Sequence, residues 1–121
     1  MVRNDQRGLT GSVQVALLLP LAVLVLLATL QWALLLWAES TAMAAAQDSA
    51  RAAAALGASE ADGQAAGERA VSNSGIGNVT IAVSRTTGFS NAVVRGAAIR
   101  VLPLVDVTVR QEAMVPVERT R

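Results

Sequence analysis

Two carboxylates, Glu60 and Asp62, together with a scatter of serines and arginines, are the groups from which this chain could build chemistry. Paired carboxylates work as general acid and base when they face one another across a site that sets their proton affinities apart. At i and i+2 of a helix they would not share a face. Ser59-Glu60-Ala61-Asp62 instead has the form of a helix start, an N-cap followed by acids that offset the positive end of the helix dipole. The 121 residues contain no His and no Cys. That removes the commonest general base near neutral pH, the commonest metal ligand and the thiol nucleophile. No phosphate loop, dinucleotide fingerprint or metal-ligand cluster is present either. The expectation is a chain that is not an enzyme, with no catalytic residues, no metal, no cofactor and no small-molecule substrate. Arg85, Arg95, Arg100 and Arg110 have little aromatic interleaving, and the net charge is only +1. They read as a solvated sheet face and not as a nucleic-acid surface.

The elements behind these residues are set by an unusual apolar balance: 53% hydrophobic residues but 2% aromatic, so the greasy content is Ala, Val and Leu. Small side chains fill little core volume, and a short domain without disulfides needs other support, which leaves partners. The largest block lies near the N-terminus. Between Arg7 and Glu39 no side chain is ionisable, and Val13 to Trp37 supplies twenty-five residues of apolar character. At about 1.5 Å per residue that run exceeds the roughly 30 Å hydrocarbon layer of a bilayer. It predicts a membrane anchor that starts at Val13, loosens at Pro20 for want of an N–H, and ends among Trp32 and Trp37 at headgroup level. Gln14, Thr29 and Gln31 are polar groups that favour a partner in lipid. Gln14 sits near the interface, where water serves it; for Gln31 both hydration and a neighbouring helix stay open. Arg3 and Arg7 before the run, against Glu39, Asp48 and a single Arg51 after it, place the N-terminus in the cytoplasm. A secretory signal cleaved around Ala42 to Ala46 is the competing reading, although the run is longer than an ordinary signal core.

After Trp37 there is no Gly or Pro until Gly57, and Ala is the strongest helix former, so one helix is expected from about Ser12 to Leu56. Ala38, Ala42, Ala46, Ala50 and Ala54 recur every four residues on it as a row of small side chains. Such a row suits a packing face shared with sister subunits or another membrane protein. It is also what nine alanines between Ala42 and Ala55 produce by composition alone. Asp48 and Arg51 are spaced for an ion pair. A short helix follows from Ser59 to Val71, with Ala61, Ala65, Ala66 and Ala70 as its weakly apolar side, and residues 72–78 form a linker. Period-two runs come next. Val79, Ile81 and Val83 share a side; in residues 92–102 Val93, Ala97, Ile99 and Val101 share one that Arg95 interrupts. Val105, Val107, Val109, Ala113, Val115 and Val117 share the third. A three-stranded antiparallel meander with one greasy face results, and only the Ala-rich helix is long enough to cover it. The fold class is α+β, of pilin-like layout. Its parts are a cytoplasmic stub or leader (1–11), a transmembrane helix (12–37), an Ala-rich extension (38–57) and a small extracytoplasmic region (58–121).

The stretches RGLTGSVQVALLLPLAVLVLLATLQWALLLWAE, AAAQDSARAAAALG and AMVPVERTR resemble the TadE-like pseudopilins of tight-adherence pilus systems, especially the actinobacterial members. Those proteins open with a basic residue, Gly and small residues. An acidic residue then stands six positions before a Pro in the apolar helix, an Ala-rich stretch follows, and Val strands end in a Pro-Val-Glu-like close. Six positions before Pro20 this chain has Gln14, so the family's carboxylate is absent; where the related leader pattern places Gly it has Leu9, between Gly8 and Gly11. The resemblance implies a minor or assembly-associated pseudopilin, whose partners are the bilayer and other pilin-like or pilus-assembly membrane proteins, itself included. A single-pass tethering protein unrelated to pili is the alternative.

Overall fold

A computed structural model describes residues 2–118, with side chains from Gly11 onward. The charged flank at Arg3 and Arg7 and the position of Leu9 lie outside the described side chains, and Arg119 to Arg121 lie outside the described residues. Helix α1 runs from Val2 to Ala54 and α2 from Glu60 to Val71. Three strands follow: β1, Gly77–Arg85; β2, Phe89–Ala97; and β3, Thr108–Pro116. They form one antiparallel sheet in the order β1-β2-β3. The architecture is the expected α+β one. A strand of nine residues spans about 30 Å, and α1 from Ala38 to Ala54 about 24 Å, so the outer part of the helix can back nearly the whole sheet.

Helix α1 begins ten residues before Ser12. A helix already nucleated gains one hydrogen bond for each residue it adds, which outweighs the penalty of Gly8 and Gly11. It stops where Gly57 takes up φ +77°, a left-handed conformation that costs glycine little. Ser59 caps α2 by a reciprocal box: its hydroxyl accepts from the Asp62 N–H, and its own N–H donates to Asp62 Oδ2 at 2.8 Å. Asp62 thus serves the helix end, and Glu60 stands beside it in the first turn.

The buried side of α2 is Gly63, Gly67 and Val71, with Ala70 half-buried and Ala61 exposed. This corrects the expected Ala61, Ala65, Ala66 and Ala70 side. The cause is space. A Cβ built on Gly63 would lie 2.7 Å from the Ser49 carbonyl oxygen and 2.8 Å from Ala53 Cβ. One on Gly67 would collide with Ser49 Oγ and come within 2.9 Å of Ile81 Cδ1. The two helices approach as closely as they do because these positions carry no side chain. Gly67→Ala is therefore expected to destabilise the folded unit, by overpacking worth about 1 to 3 kcal/mol. At a free helical site the same exchange stabilises by up to about 1 kcal/mol. Faster hydrogen exchange across α2 in the variant is the readout, and slower exchange would refute the close-approach argument.

In the sheet, the faces foreseen for β1 and β3 are the ones that point at α1: Ile81 and Val109 are buried, and Val79, Val83, Ala113 and Val115 half-buried. The face of β2 is the opposite of the expected one. Ser90, Ala92, Val94 and Gly96 are buried, whereas Val93 and Ala97 share the outer side with exposed Arg95. Register enforces this: Val94 pairs with Ile81 and Gln111, and Ala92 with Val83 and Ala113, so a slip by one would drive Arg95 into the core. Strand β2 also starts three residues earlier than expected and ends five earlier, and β3 starts at Thr108 and not at Val105. The residues between them form a loop that binds to α1. Near its start β1 carries a bulge between Gly77 and Thr80, where Asn78 takes a positive φ of 51°.

The core is Ala38, Ala42, Ala45 and Ala46 of α1 against Val71, Ile81, Val94, Ala98 and Val109. Ser49 Oγ and Ser90 Oγ are also buried, with no hydrogen-bond partner among the described residues.

Candidate functional site: membrane anchor and helix–sheet seam

One helix carries two surfaces of different kinds. From Ser12 to Leu30 every side chain is exposed except the half-buried Leu27. Val13, Gln14 and Pro20 all lie in this bare section. A helix that is apolar all round belongs inside a large core or inside a bilayer. Here none of the most apolar stretch is buried by protein, so α1 carries a candidate membrane span. Val13 to Leu30 is about 27 Å of helix, close to the hydrocarbon thickness. Thr29 is satisfied on its own helix, its hydroxyl donating to the Val25 carbonyl at 2.8 Å. Helix α1 continues through Pro20, whose ring leaves the Ala16 carbonyl without its usual donor.

At Gln31 the helix changes character. Its side chain is buried, with Nε2 donating to the Ile99 carbonyl at 3.0 Å and Oε1 accepting from the N–H groups of Val101 (2.8 Å) and Leu102 (3.3 Å). The partner left open by the sequence is this chain's own β2–β3 loop, and one amide serves three of its backbone groups. Trp32, next to Gln31, and Trp37, about 9 Å along the helix from Gln31, are both exposed. Gln31→Leu would leave the three loop groups unpaired while making the helix more apolar. A loss of about 2 kcal/mol, or roughly thirtyfold faster exchange of the Val101 amide, is expected with insertion of the span unaffected. Unchanged exchange would show that the tie does not hold the loop.

Beyond Gln31 the row Ala38, Ala42, Ala46, Ala50 and Ala54 is buried throughout, at 3% exposure or less. It is covered by this chain's own α2 and sheet. Asp48 and Arg51 lie on the open side, 4.0 Å apart and largely exposed, a pair worth little in water.

The far end of the seam is closed by Arg85, which leaves the solvated-face reading. Its Nη1 points at the carbonyl oxygens of Ala53 (2.9 Å), Ala55 (3.1 Å) and Ala58. The Ala53 carbonyl, in the last turn of α1, has no helical donor and belongs to the negative end of the helix dipole, whereas the Ala55 carbonyl, just past the helix, also accepts from the Ala58 N–H at 3.0 Å. The Arg85 N–H donates to Glu60 Oε1 at 3.2 Å, linking the start of α2 to the same point. The Glu118 N–H adds a bond to the Ala54 carbonyl at 2.8 Å. Arg100 and Arg110 pair on the surface with Asp106 and Glu112, at 2.9 and 3.3 Å. No sequence signal distinguishes Arg85 from these arginines except its place at a strand end. The Gly63-x-x-x-Gly67 spacing, by contrast, is a legible sign of close helix approach.

No curated protein and no solved structure matches this chain. The family model described as TadE-like protein matches residues 10–51, from Thr10, just ahead of the bare apolar section, to Arg51 in the last turn of α1. It is in this helix, anchor and seam together, that the chain is similar to the TadE-like family.

Proposed function

We propose that this chain is a structural, membrane-anchored pseudopilin-like component of a tight-adherence pilus or a related secretion apparatus, and that it acts by packing and carries out no reaction. The observation that supports this is the continuity of α1: the bare apolar section and the core helix of the folded unit are one element, and that element is the TadE-like match. Arg3 and Arg7 before the span favour a cytoplasmic N-terminus and an extracytoplasmic sheet. Retention of the anchor is supported by its contacts, since a cut near Ala42 to Ala46 would strip Gln31, Ala38 and Ala42 from the sheet. In Gln14 the chain lacks the family's carboxylate, which favours an assembly-associated subunit over an abundant one.

The match ends at Arg51, before α2 and the sheet. That favours a second reading, a single-pass tether whose folded unit serves a partner unrelated to pili. Deleting the gene and restoring it separates the two. Loss of surface filaments and of adherence, recovered with the intact chain, supports the pilus reading; filaments at normal number and length without the chain would defeat it. Side is checked with single cysteines at Thr10 and Ser72 and an impermeant maleimide on intact cells. Labelling at Ser72 alone is expected.

A further inference from the structure

The β2–β3 loop, residues 98–107, is out of keeping with a solvent-facing turn. Leu104 is 98% exposed, with Ile99 and Val105 also open to the outside. Leu104 further adopts φ +66°, in a turn after Pro103 where glycine is the usual occupant. A branched aliphatic residue held in that conformation, with its side chain directed away from the protein, is an outlier of the kind that marks function.

The position of the loop identifies what it meets. Its inner side is hydrogen-bonded to Gln31, immediately above the section of α1 that is apolar all round. These bonds satisfy three backbone groups that would otherwise resist transfer out of water. The loop's only charges are Arg100 and Asp106, paired at 2.9 Å at its base, so residues 101–105 present an uncharged tip. Exposed Trp32 lies on α1 one residue beyond Gln31.

We infer that the β2–β3 loop is a second membrane contact, with Leu104, Ile99 and Val105 seated at the acyl–headgroup boundary beside the emerging helix. This rests on the reading of α1 as a membrane span. The occupant of the loop's outer face is lipid, because that face continues the bare surface of the helix. A neutral tip makes the contact apolar, so zwitterionic lipid suffices and anionic lipid is not required.

The chain has no native cysteine, so single sites can be labelled in the full-length protein. Leu24→Cys in the bare section, Leu104→Cys, and Met114→Cys on the outer face of β3 carry a maleimide-linked environment-sensitive dye in phosphatidylcholine vesicles. Quenching by lipids doxyl-labelled near the headgroup or deep in the chain is compared with quenching by aqueous iodide. The dye at Leu104 is expected to be quenched several-fold more by the shallow lipid label than the dye at Met114, and to be shielded from iodide. At Leu24 the deep label should dominate. A dye at Leu104 that behaves like the one at Met114, while Leu24 is lipid-quenched, overturns the inference and leaves the span intact. Absence of lipid quenching at Leu24 overturns the span reading and the loop contact with it. Shielding at Leu104 from both iodide and lipid, with disulfide-linked dimers through the unlabelled cysteine, would assign the tip to a second copy and overturn the lipid contact.

Discussion

Replacing Ala46 and Ala50 together by leucine is expected to detach the sheet from α1 while leaving the protein in the membrane. Both alanines are fully buried, and the seam is closed on one side by α2, whose glycines already allow no extra atom. Each isobutyl side chain in place of a methyl group must push the sheet or α2 outward, at about 1 to 3 kcal/mol per site. The sites are one helical turn apart and share neighbours, so the costs couple and do not simply add. Against a typical domain stability of about 5 to 15 kcal/mol, the pair is severe for a unit with so small a core. Trypsin can report it, because Arg85, Arg95 and Arg110 lie on the strands and the chain has no lysine to complicate the pattern. Rapid cutting at these sites, with the anchor still in the carbonate-resistant membrane fraction, is the expected result. Undiminished protection would mean that the row does not form the seam. The same experiment guards against a misreading: any failure of the variant to assemble would follow from loss of the folded unit and would not by itself locate a subunit interface.

The second large effect is at Arg85. Arg85→Met keeps much of the apolar stem but withdraws the donor from the Ala53, Ala55 and Ala58 carbonyls. Hydrogen bonds from a charged donor are worth more than neutral ones, and the Ala53 and Ala58 carbonyls, unlike that of Ala55, which keeps the Ala58 N–H, would be left alone at a cost. A loss of about 2 to 3 kcal/mol is expected, which for a unit of this size lowers the melting temperature by roughly 10 to 20 °C. Arg85→Lys should recover part of it, since the charge still meets the helix dipole but the planar fork is gone. The measurement is the temperature at which trypsin gains access to the strands; equal midpoints for wild type and Arg85→Met would remove the capping role.

Much of this architecture is legible in the sequence, for reasons that can be stated residue by residue. The bare span follows from an uninterrupted uncharged run, and β1 and β3 from the alternation of Val79, Ile81 and Val83 and of Val105 through Val117. The face of β2 was not legible by hydrophobicity, because Val93, Ala97, Ile99 and Val101 are greasier than Ser90, Ala92, Val94 and Gly96. Distance to the helix selected the smaller set, and register with Ile81 and Val109 fixed it. Gly63 and Gly67 look like weaknesses in an isolated helix and become contacts only when a second helix is present. Gln31 announces its need for a partner, yet the partner lies 68 to 71 residues away in the chain, beyond any local pattern. The same holds for Arg85, whose acceptors sit on a different element.

From Leu21 to Ala54 helix α1 contains neither Gly nor Pro, and the part of the span beyond Pro20 and the whole seam lie on that stretch. The sheet therefore cannot swivel about the membrane normal independently of the segment in the bilayer. Its azimuth is locked to the span by residue count, at about 100° per residue. Whatever side of the span a neighbour approaches, the direction in which the sheet then faces is already decided, and a twist applied at one end of the rod arrives as torque at the other.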